Sequence, residues 1–301
     1  MTDQRMINIR EAVMAKVFFI CACTSILAIL LICVFLFASG VPAIFEVGVS
    51  QFLLGTEWAP SRRYPTEPLF GILPMIAGSI YFTIGAIIIG VPVGIFTAIF
   101  FAHMCPRKLY VFLKPVVNLL AGIPSVVYGF FGMVIIVPIV RVLALRFTGH
   151  LPGGASGMSM LAASIILGIM ILPTIIAISE AAIRAVPDSY YEGALALGAS
   201  HTRSVFFVVV PAAKSGILAS VILGIGRAIG ETMAVVMVAG NHARMPIHLL
   251  RGARSMTANI VMEMGYAYGL HRDVLIATAV ILFIFILLIN IAFTILTRKG
   301  R

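Results

Sequence analysis

Apolar residues fill six long runs of the chain, and shorter polar segments separate these runs. The runs are Val17–Ser39, Leu69–Ala102, Leu109–Val142, Met158–Val186, Val205–Gly240 and Val274–Leu296. Each exceeds the roughly 20 residues that a helix needs to cross the hydrocarbon core of a bilayer. The pattern therefore predicts an all-α, polytopic membrane protein with about six transmembrane helices.

The polar segments predict how the chain is divided by the membrane. The divisions are a cytoplasmic N-terminus (1–16), an anchor helix (17–40), an outer loop (41–68), a core (69–297) with a cytoplasmic loop (187–211) and an outer loop (241–272), and a cytoplasmic C-terminus (298–301). The first apolar run is longer than the apolar part of a secretory signal, so we expect it to stay as an anchor. Prolines predict an irregular outer loop at 41–68, with Trp58 at the membrane interface.

Composition and charge agree with a membrane protein. Of the 301 residues, 61% are hydrophobic and 11% are charged. The formal net charge of +10 does not indicate a nucleic-acid partner, because the basic residues are spread among the loops instead of lining one face. Their larger share on one side places both termini in the cytoplasm. The four cysteines have no disulfide or metal spacing and are predicted to face lipid or pack.

The outer loop 241–272 is basic. It carries Arg244, Arg251, Arg254, Arg272 and three histidines, His242, His248 and His271. Such a loop can attract anions, acidic lipid headgroups or a partner protein, and spacing does not separate these alternatives. The histidines lack metal-ligand spacing, so no metal site is predicted.

Proline and glycine interrupt the second and third runs. Gly90 and Gly94 flank Pro92 and predict a local bend with close approach of a neighbouring helix. In the third run, Ala121–Ser125 (AGIPS) can begin a new helix whose free amides point into the membrane, a common way to hold anions. Ser125 and Tyr128 add hydroxyl donors there. A simple proline kink is the alternative interpretation.

A charged pair lies inside the fifth run. Arg227 and Glu231 are spaced i, i+4, which puts them on one face of a continuous helix. An arginine at this depth costs about 3 kcal/mol on insertion scales. We expect the pair, with neighbouring Thr232, to line an anion pathway in which Glu231 holds and neutralises Arg227. A buried structural salt bridge is the alternative. Gly226, Gly230 and Ala234 repeat beside the pair and predict a small-residue stripe for helix contact.

The loop 187–211 predicts a short cytoplasmic helix. Ser189 and Glu192 have the spacing of a capping box, Pro187 ends the preceding helix, and Gly198 can supply a left-handed residue at the end. A helix of about nine residues is marginal alone in water. It therefore packs against its flanking helices or against another protein.

The same loop resembles the EAA loop of ABC-importer permeases, the helix that fits a groove on the ATPase subunit. Glu192, Gly193, Ala194, Gly198, Val208, Val210 and Pro211 fall at that family's spacing. Gly193 replaces the usual alanine, while Val208 and Val210 replace isoleucine and leucine. The resemblance implies that the ATPase contacts Ser189, Glu192, Gly193, Ala194 and Gly198.

Three further segments are similar to the phosphate-specific permeases of PstC type. Residues 226–235 (GRAIGETMAV) resemble their fifth-helix motif, 121–129 (AGIPSVVYG) their third-span motif and Gly71–Thr83 their second span. The similarity covers most of residues 50–297 and implies the MetI-like fold of type I ABC importers in the cytoplasmic (inner) membrane. It also implies a role in phosphate passage for Arg227 and Glu231.

The resemblance further implies the partners. These are a PstA-type permease subunit, two copies of an ATPase and an extracytoplasmic phosphate-binding protein. No G-x-x-x-x-G-K-[ST] motif occurs in the chain, so we expect a non-catalytic subunit with no bound cofactor and with ATP and Mg on the ATPase. Two alternatives remain. One is a stand-alone proton-coupled anion transporter that uses Glu231 and Arg227, although no repeated halves are visible. The other is a membrane scaffold.

Overall fold

The computed structural model describes residues 2–60, 67–148 and 157–299, so Arg62, Arg63 and the last two residues of the chain lie outside the described part. Its helices are α1 (Thr2–Val47), α2 (Val49–Leu54), α3 (Leu73–Ile99), α4 (Arg107–Gly122), α5 (Ser125–Phe131), α6 (Val137–Thr148), α7 (Met160–Arg184), α8 (Asp188–Ala196), α9 (His201–Ser204), α10 (Val210–Ala212), α11 (Lys214–Gly230), α12 (Met233–Val238), α13 (Met256–Glu263) and α14 (Leu270–Lys299). One-turn π-helices at Phe100–Met104, Gly132–Ile136 and Val205–Val209 continue or join them. Strands β1 (Trp58–Ala59) and β2 (Leu69–Phe70) form a short antiparallel hairpin.

The described helices supply five spans, and a sixth if one bent pair of helices is counted as a single span, which agrees with the prediction of about six. Five are long and apolar enough by themselves: Val13–Val47, Leu73–Met104, Ser125–Arg146, Met160–Arg184 and Leu270–Ala292. The sixth is the pair His201–Ala212 and Lys214–Gly230, which counts as one span with a 69° bend. A chain of this composition buries its backbone polar groups in helices when it enters lipid.

The third predicted span is wrong at its start. The backbone is extended at Ile123, and α5 begins after Pro124. The helix Ser125–Arg146 has 22 residues, about 33 Å at 1.5 Å per residue, which already crosses the hydrocarbon core. Helix α4 is therefore a separate element, and all of it is described with no buried side chain.

The first outer loop is also more regular than predicted. Helix α1 passes through Pro42 and ends at Val47, where Gly48 takes a φ of 91°. A Cβ on Gly40 would lie 2.8 Å from Val280 Cγ2 of α14, and the rings of Phe37 and Phe283 meet edge to face. This close packing supports the helix beyond the proline, whose missing hydrogen bond membrane helices tolerate.

The fifth predicted span is not one straight helix. It bends by 69° between Ala212 and Lys214, and α11 ends at Gly230. Pro211 lies just before the bend. Because proline cannot donate a backbone hydrogen bond and its ring clashes with the preceding turn, a sharp bend at this place is expected.

Helix α7 is the centre of the core, and glycines bring α3 and α11 close to it. A Cβ on Gly90 would lie 2.7 Å from the Gly168 carbonyl, and one on Gly94 would lie 2.7 Å from Ile175 Cγ2. The predicted close approach at Gly90 and Gly94 is thus confirmed. On α11, Gly216 faces the Ala182 Cβ, and the hydroxyls of Ser220 and Ser179 are 2.7 Å apart.

Two of the three members of the predicted small-residue stripe make no close contact with another helix of the described chain. Apart from sequence neighbours and the backbone of α11 itself, no described atom lies within 4 Å of a Cβ built on Gly226 or Gly230. Ala234 does make a close contact, because a Cβ on Gly129 would lie 3.0 Å from its Cα. The face of α11 that packs on α7 carries Gly216, Ser220 and Gly224 instead. This row is spaced like Gly226 and Gly230 but lies on another side of the helix.

We expect Gly216→Ala to destabilise the chain and Gly226→Ala to leave it unharmed. The new methyl group at 216 would overlap the Ala182 Cβ, and overpacking of this kind costs about 1–3 kcal/mol. At 226 the space is open, and alanine favours the helix by about 1 kcal/mol. Thermal unfolding of the two purified variants in one detergent measures the difference. Equal melting temperatures would contradict the assigned packing face.

The two loops that are predicted to be outer loops are joined by a buried carboxylate, Glu263 of α13. Its Oε1 accepts from Arg254 Nη1 at 2.6 Å, and its Oε2 accepts from Trp58 Nε1 at 2.9 Å and lies 2.9 Å from His271 Nε2. Trp58 is 9% exposed, so its predicted place as a membrane-interface anchor is wrong. Arg254 and His271 are held in this ion-pair cluster because a buried carboxylate requires partners. Of the four arginines in the predicted anion-attracting loop, Arg244, Arg251 and Arg272 are exposed, and for these three the attraction of anions stays a prediction.

Candidate substrate pathway and docking helix

Arg227 lies in the last turn of α11, beside the middle of α7. Its Nη1 is 3.4 Å from the hydroxyl oxygen of Thr174, which is near the midpoint of Met160–Arg184. The side chain is half-buried. Among the residues that the structure describes, no ion pair includes Arg227. The guanidinium is therefore partly accessible beside the middle of α7, weakly hydrogen-bonded and without a carboxylate partner among the described ion pairs, which leaves its donors available to an anion.

Glu231 does not form the predicted pair with Arg227. Helix α11 ends at Gly230, and the extended backbone of Glu231 (φ −71°, ψ 133°) turns its side chain away from the i, i+4 position. Its carboxylate accepts a hydrogen bond from the Ala234 amide at 3.0 Å, as a cap for α12. Its carbonyl accepts from the Thr257 hydroxyl of α13 at 3.0 Å. The predicted pair requires a continuous helix from Arg227 to Glu231, but α11 ends at Gly230 between the two residues.

The break before α5 confirms the predicted new helix but not its predicted depth, because α5 begins at the first residue of the span Ser125–Arg146 and its free amides do not lie within the span. Pro124 stands at the N-cap and the new helix begins at Ser125, so this is more than a proline kink. Tyr128 is buried and its hydroxyl donates to the Leu120 carbonyl of α4 at 2.7 Å. Ser125 is half-buried one turn earlier on the same helix.

The structure brings most of the predicted pathway residues into one region. Gly129, next to Tyr128, packs on Ala234, which follows Glu231 and Thr232. The Thr232 hydroxyl is 3.4 Å from the Gly230 carbonyl. The contacts do not connect Ser125 with Arg227, and the roles of Ser125, Tyr128, Glu231 and Thr232 stay predictions. Within the described ranges, no group of three or more His, Cys, Asp and Glu residues is placed to hold a metal ion.

The loop 187–211, predicted to be cytoplasmic, contains the predicted helix with a different start. Helix α8 spans Asp188–Ala196, and its N-cap is Pro187, with no side-chain cap. The predicted capping box is wrong, because Ser189 is already inside the helix. Proline suits this boundary, since it has no amide to leave unsatisfied. Glu192 and Gly193 are exposed and Ala194 is half-buried.

The end of α8 agrees with the prediction for Gly198. Gly198 has a φ of 85°, its amide donates to Leu195, and the Ala199 amide donates to Ala194. This is a Schellman motif, which satisfies the last helical carbonyls. Tyr191 of α8 contacts the next helix, α9, because its hydroxyl is 2.6 Å from His201 Nδ1. Its ring also lies 5.7 Å from that of His103. Leu197, 91% exposed, projects from the protein beside this end.

Gly198→Ala is expected to loosen the end of α8. Open space surrounds Gly198, so the penalty comes from the left-handed backbone alone, about 1–2 kcal/mol. The control is Gly193→Ala, where the space is also open and alanine favours the helix by about 1 kcal/mol. Hydrogen exchange at the amides of Gly193–Ala199 should speed up in the first variant and slow down in the second. Faster exchange in both would contradict the assigned cap.

Tyr191 and Glu180 are two parts of the site that were not predicted from the sequence. No sequence pattern marks Tyr191, because its partner His103 is distant in the chain and His201 belongs to no motif. Glu180 does give a sequence signal, since an acidic residue in an apolar run with Arg184 at i+4 is unusual. It is 3% exposed and binds Lys114 and Tyr110 as well as Arg184. The hydrogen bond between Tyr110 and the Glu180 carboxylate raises the pKa of the Tyr110 hydroxyl.

Comparison with known proteins agrees with this arrangement. A family model described as the binding-protein-dependent transport system inner membrane component matches residues 90–301. The probable ABC transporter permease protein YqgH of Bacillus subtilis is 39% identical over 278 residues, which cover 90% of this chain and 86% of that protein. The phosphate transport system permease protein PstC of Mesorhizobium japonicum is 37% identical over 266 residues, with 84% and 80% covered.

A solved structure gives independent support for the fold. An inward-facing MetNI methionine ABC transporter chain aligns with a TM-score of 0.56 at 22% identity, and the alignment covers 77% of this chain and 94% of that one. At this identity the likeness concerns the fold alone, which is the predicted MetI-like permease fold. It agrees with the family match over residues 90–301. The chain belongs to the family of binding-protein-dependent transport system inner membrane components.

Proposed function

We propose that this chain is a permease subunit of an ABC importer that moves inorganic phosphate into the cytoplasm. The observation that carries the proposal is Arg227, a guanidinium beside the middle of α7 with no carboxylate partner among the described ion pairs. An unpaired cation at this depth is expensive and is expected to serve a function. Guanidinium donors match the geometry of phosphate oxygens, and a relative of this chain is named a phosphate transport permease.

The energy source is a separate polypeptide. The sequence has no phosphate-binding G-x-x-x-x-G-K-[ST] loop, so ATP and Mg bind to a partner ATPase. Helix α8, with exposed Glu192, Gly193 and Leu197, is the surface that meets it. The full importer contains a PstA-type permease, two ATPase copies and an extracytoplasmic phosphate-binding protein. Both termini of this chain face the cytoplasm, which puts α8 on the ATPase side of the membrane.

The motion that links ATP to transport enters through α8. When the ATPase subunits close or open, they displace α8, and the ends of α7 and α9 on either side of it move as well. Because α7 and α11 pack tightly through Gly216, Ser220 and Gly224, both helices shift together. The shift exposes Arg227 alternately to the two sides of the membrane. ATP supplies the free energy that changes the populations of the outward-open and inward-open states.

Uptake of labelled phosphate into sealed vesicles tests the proposal. The complex is reconstituted with the binding protein, and uptake is compared with and without ATP, with sulfate as a competing anion. ATP-dependent phosphate uptake that needs the binding protein supports the proposal. Uptake driven by a proton gradient without ATP would instead support a stand-alone proton-coupled transporter. In that alternative Glu231 releases Arg227, yet the Glu231 carboxylate contacts the Ala234 amide.

A further inference from the structure

Glu180 joins two helices close to the docking helix. It lies one turn before the end of α7 and is 3% exposed. Its Oε1 accepts from the Tyr110 hydroxyl at 2.8 Å and from Arg184 Nε at 2.9 Å, and its Oε2 accepts from Lys114 Nζ at 2.6 Å. Tyr110 and Lys114 belong to α4, whereas Arg184 ends α7. One carboxylate therefore fastens α4 to α7 through two hydrogen bonds, from Tyr110 and Lys114, while the third, from Arg184, stays within α7.

Arg184 extends the cluster to the second span. Its Nη2 donates to the Phe101 carbonyl at 2.7 Å, within the π-helix Phe100–Met104. The guanidinium also lies over the Tyr110 ring, 5.0 Å from its centroid, in a cation–π contact. Glu180, Arg184, Lys114 and Tyr110 thus connect the end of the second span, α4 and α7. We name these four residues the Glu180 cluster.

Helix α4 depends on this cluster for its position. None of its side chains, all of which are described, is buried. The polar contacts that hold α4 in place are therefore those of Tyr110 and Lys114 with Glu180 and that of the Leu120 carbonyl with Tyr128. Removing one partner of a buried charge leaves the others unpaired, which makes such clusters sensitive to single substitutions.

The cluster lies between the docking helix and the pathway. On one side only Ala185, Val186 and Pro187 separate Arg184 from α8. On the other side α4 leads to the break before α5, where the Tyr128 hydroxyl binds the Leu120 carbonyl at 2.7 Å. Next to Tyr128, Gly129 packs on Ala234 of α12, and α12 follows the end of α11 that carries Arg227. These contacts lead from the end of α7 beside α8 to α12, which is next in sequence to the candidate anion site.

We propose that Glu180 is the positioning residue that transmits displacement of the docking helix to α4 and, through Leu120 and Tyr128, to the surroundings of Arg227. The inference rests on the proposed function. Glu180 touches neither the anion nor ATP in this role. It couples two sites because the elements that it joins move as one body only while its three hydrogen bonds are intact.

The test uses the complete importer reconstituted with its binding protein, in which ATP hydrolysis and labelled phosphate uptake are measured together. Glu180→Gln and Lys114→Met should each lower phosphate uptake per ATP hydrolysed by about tenfold, within the usual range of coupling between sites. ATP hydrolysis and subunit assembly should persist. Lys114→Arg keeps the positive charge and, unlike Lys114→Met, should keep phosphate uptake per ATP hydrolysed near that of wild type. Lys108→Met, which removes an exposed charge from the same helix, is the matched control and should behave as wild type.

Two results would overturn the inference. In the first, uptake per ATP hydrolysed is unchanged in both Glu180→Gln and Lys114→Met. In the second, uptake, ATP hydrolysis and assembly fall together, which shows a structural role only. A wild-type complex without ATP-driven phosphate uptake would contradict the proposed function instead. Hydrogen exchange over residues 107–122 then decides the inference separately, because it should speed up in Glu180→Gln, and exchange equal to wild type would overturn the role of Glu180.

Discussion

Arg227→Gln is expected to lower ATP-driven phosphate uptake by up to about a hundredfold, because one lost charge-assisted contact to the anion is worth up to about 3 kcal/mol. The glutamine amide can still reach the Thr174 hydroxyl, but it carries no charge. Since no described ion pair includes Arg227, the substitution strands no buried carboxylate. We therefore expect the complex to assemble and to hydrolyse ATP.

The matched control is Arg146→Gln, which removes the same charge from an exposed position at the end of α6. It should leave uptake near that of wild type. Arg227→Lys separates charge from geometry, because lysine keeps the charge and loses the planar fork of donors. Intermediate uptake is expected in that variant. Near-normal uptake in Arg227→Gln would show that the residue is merely structural.

Glu192→Lys should release the ATPase subunits from the membrane complex and so abolish uptake. Glu192 is exposed on α8, and none of the described ion pairs includes it. Its reversal should therefore leave the fold of this chain intact and change only the surface that meets a partner. A reversed charge in the centre of an interface typically costs several kcal/mol. Co-purification of the ATPase with the affinity-tagged membrane complex measures the effect.

Glu11→Lys provides the control for Glu192→Lys. It makes the same charge change on an exposed part of α1, outside the apolar span and away from α8 in sequence. The ATPase should co-purify with this variant as with wild type, and uptake should be unaffected. Retention of the ATPase together with normal uptake in Glu192→Lys would remove the docking role of α8.

Local sequence patterns failed where the prediction assumed an uninterrupted helix. The spacing of Arg227 and Glu231 predicts neighbours on one face, but the helix ends at Gly230 and the carboxylate caps α12. Ser189 matches a capping box by spacing, yet Pro187 already occupies the helix boundary. Both motifs require a particular start or end of a helix, and spacing alone does not fix either position.

Contacts between distant segments were beyond the reach of a single sequence. Trp58 resembles an interface residue, but its indole binds Glu263, more than half the chain away. Glu180 shows its i+4 partner Arg184 in sequence, whereas Lys114 and Tyr110 come from another helix. Gly216 and Gly226 are both glycines in the same apolar run, and the sequence does not show that only Gly216 faces α7.

The sequence by itself determined the six spans, the break before Ser125, the short helix ending at Gly198 and the deep arginine. These follow from properties of single segments: the length of an apolar run, the missing amide of proline, the tolerance of glycine for positive φ and the expense of a buried charge. Tertiary structure decided which faces of the helices meet and which charges are paired. Those outcomes depend on the relative rotation and depth of whole helices, which packing across the fold sets and which no local spacing encodes.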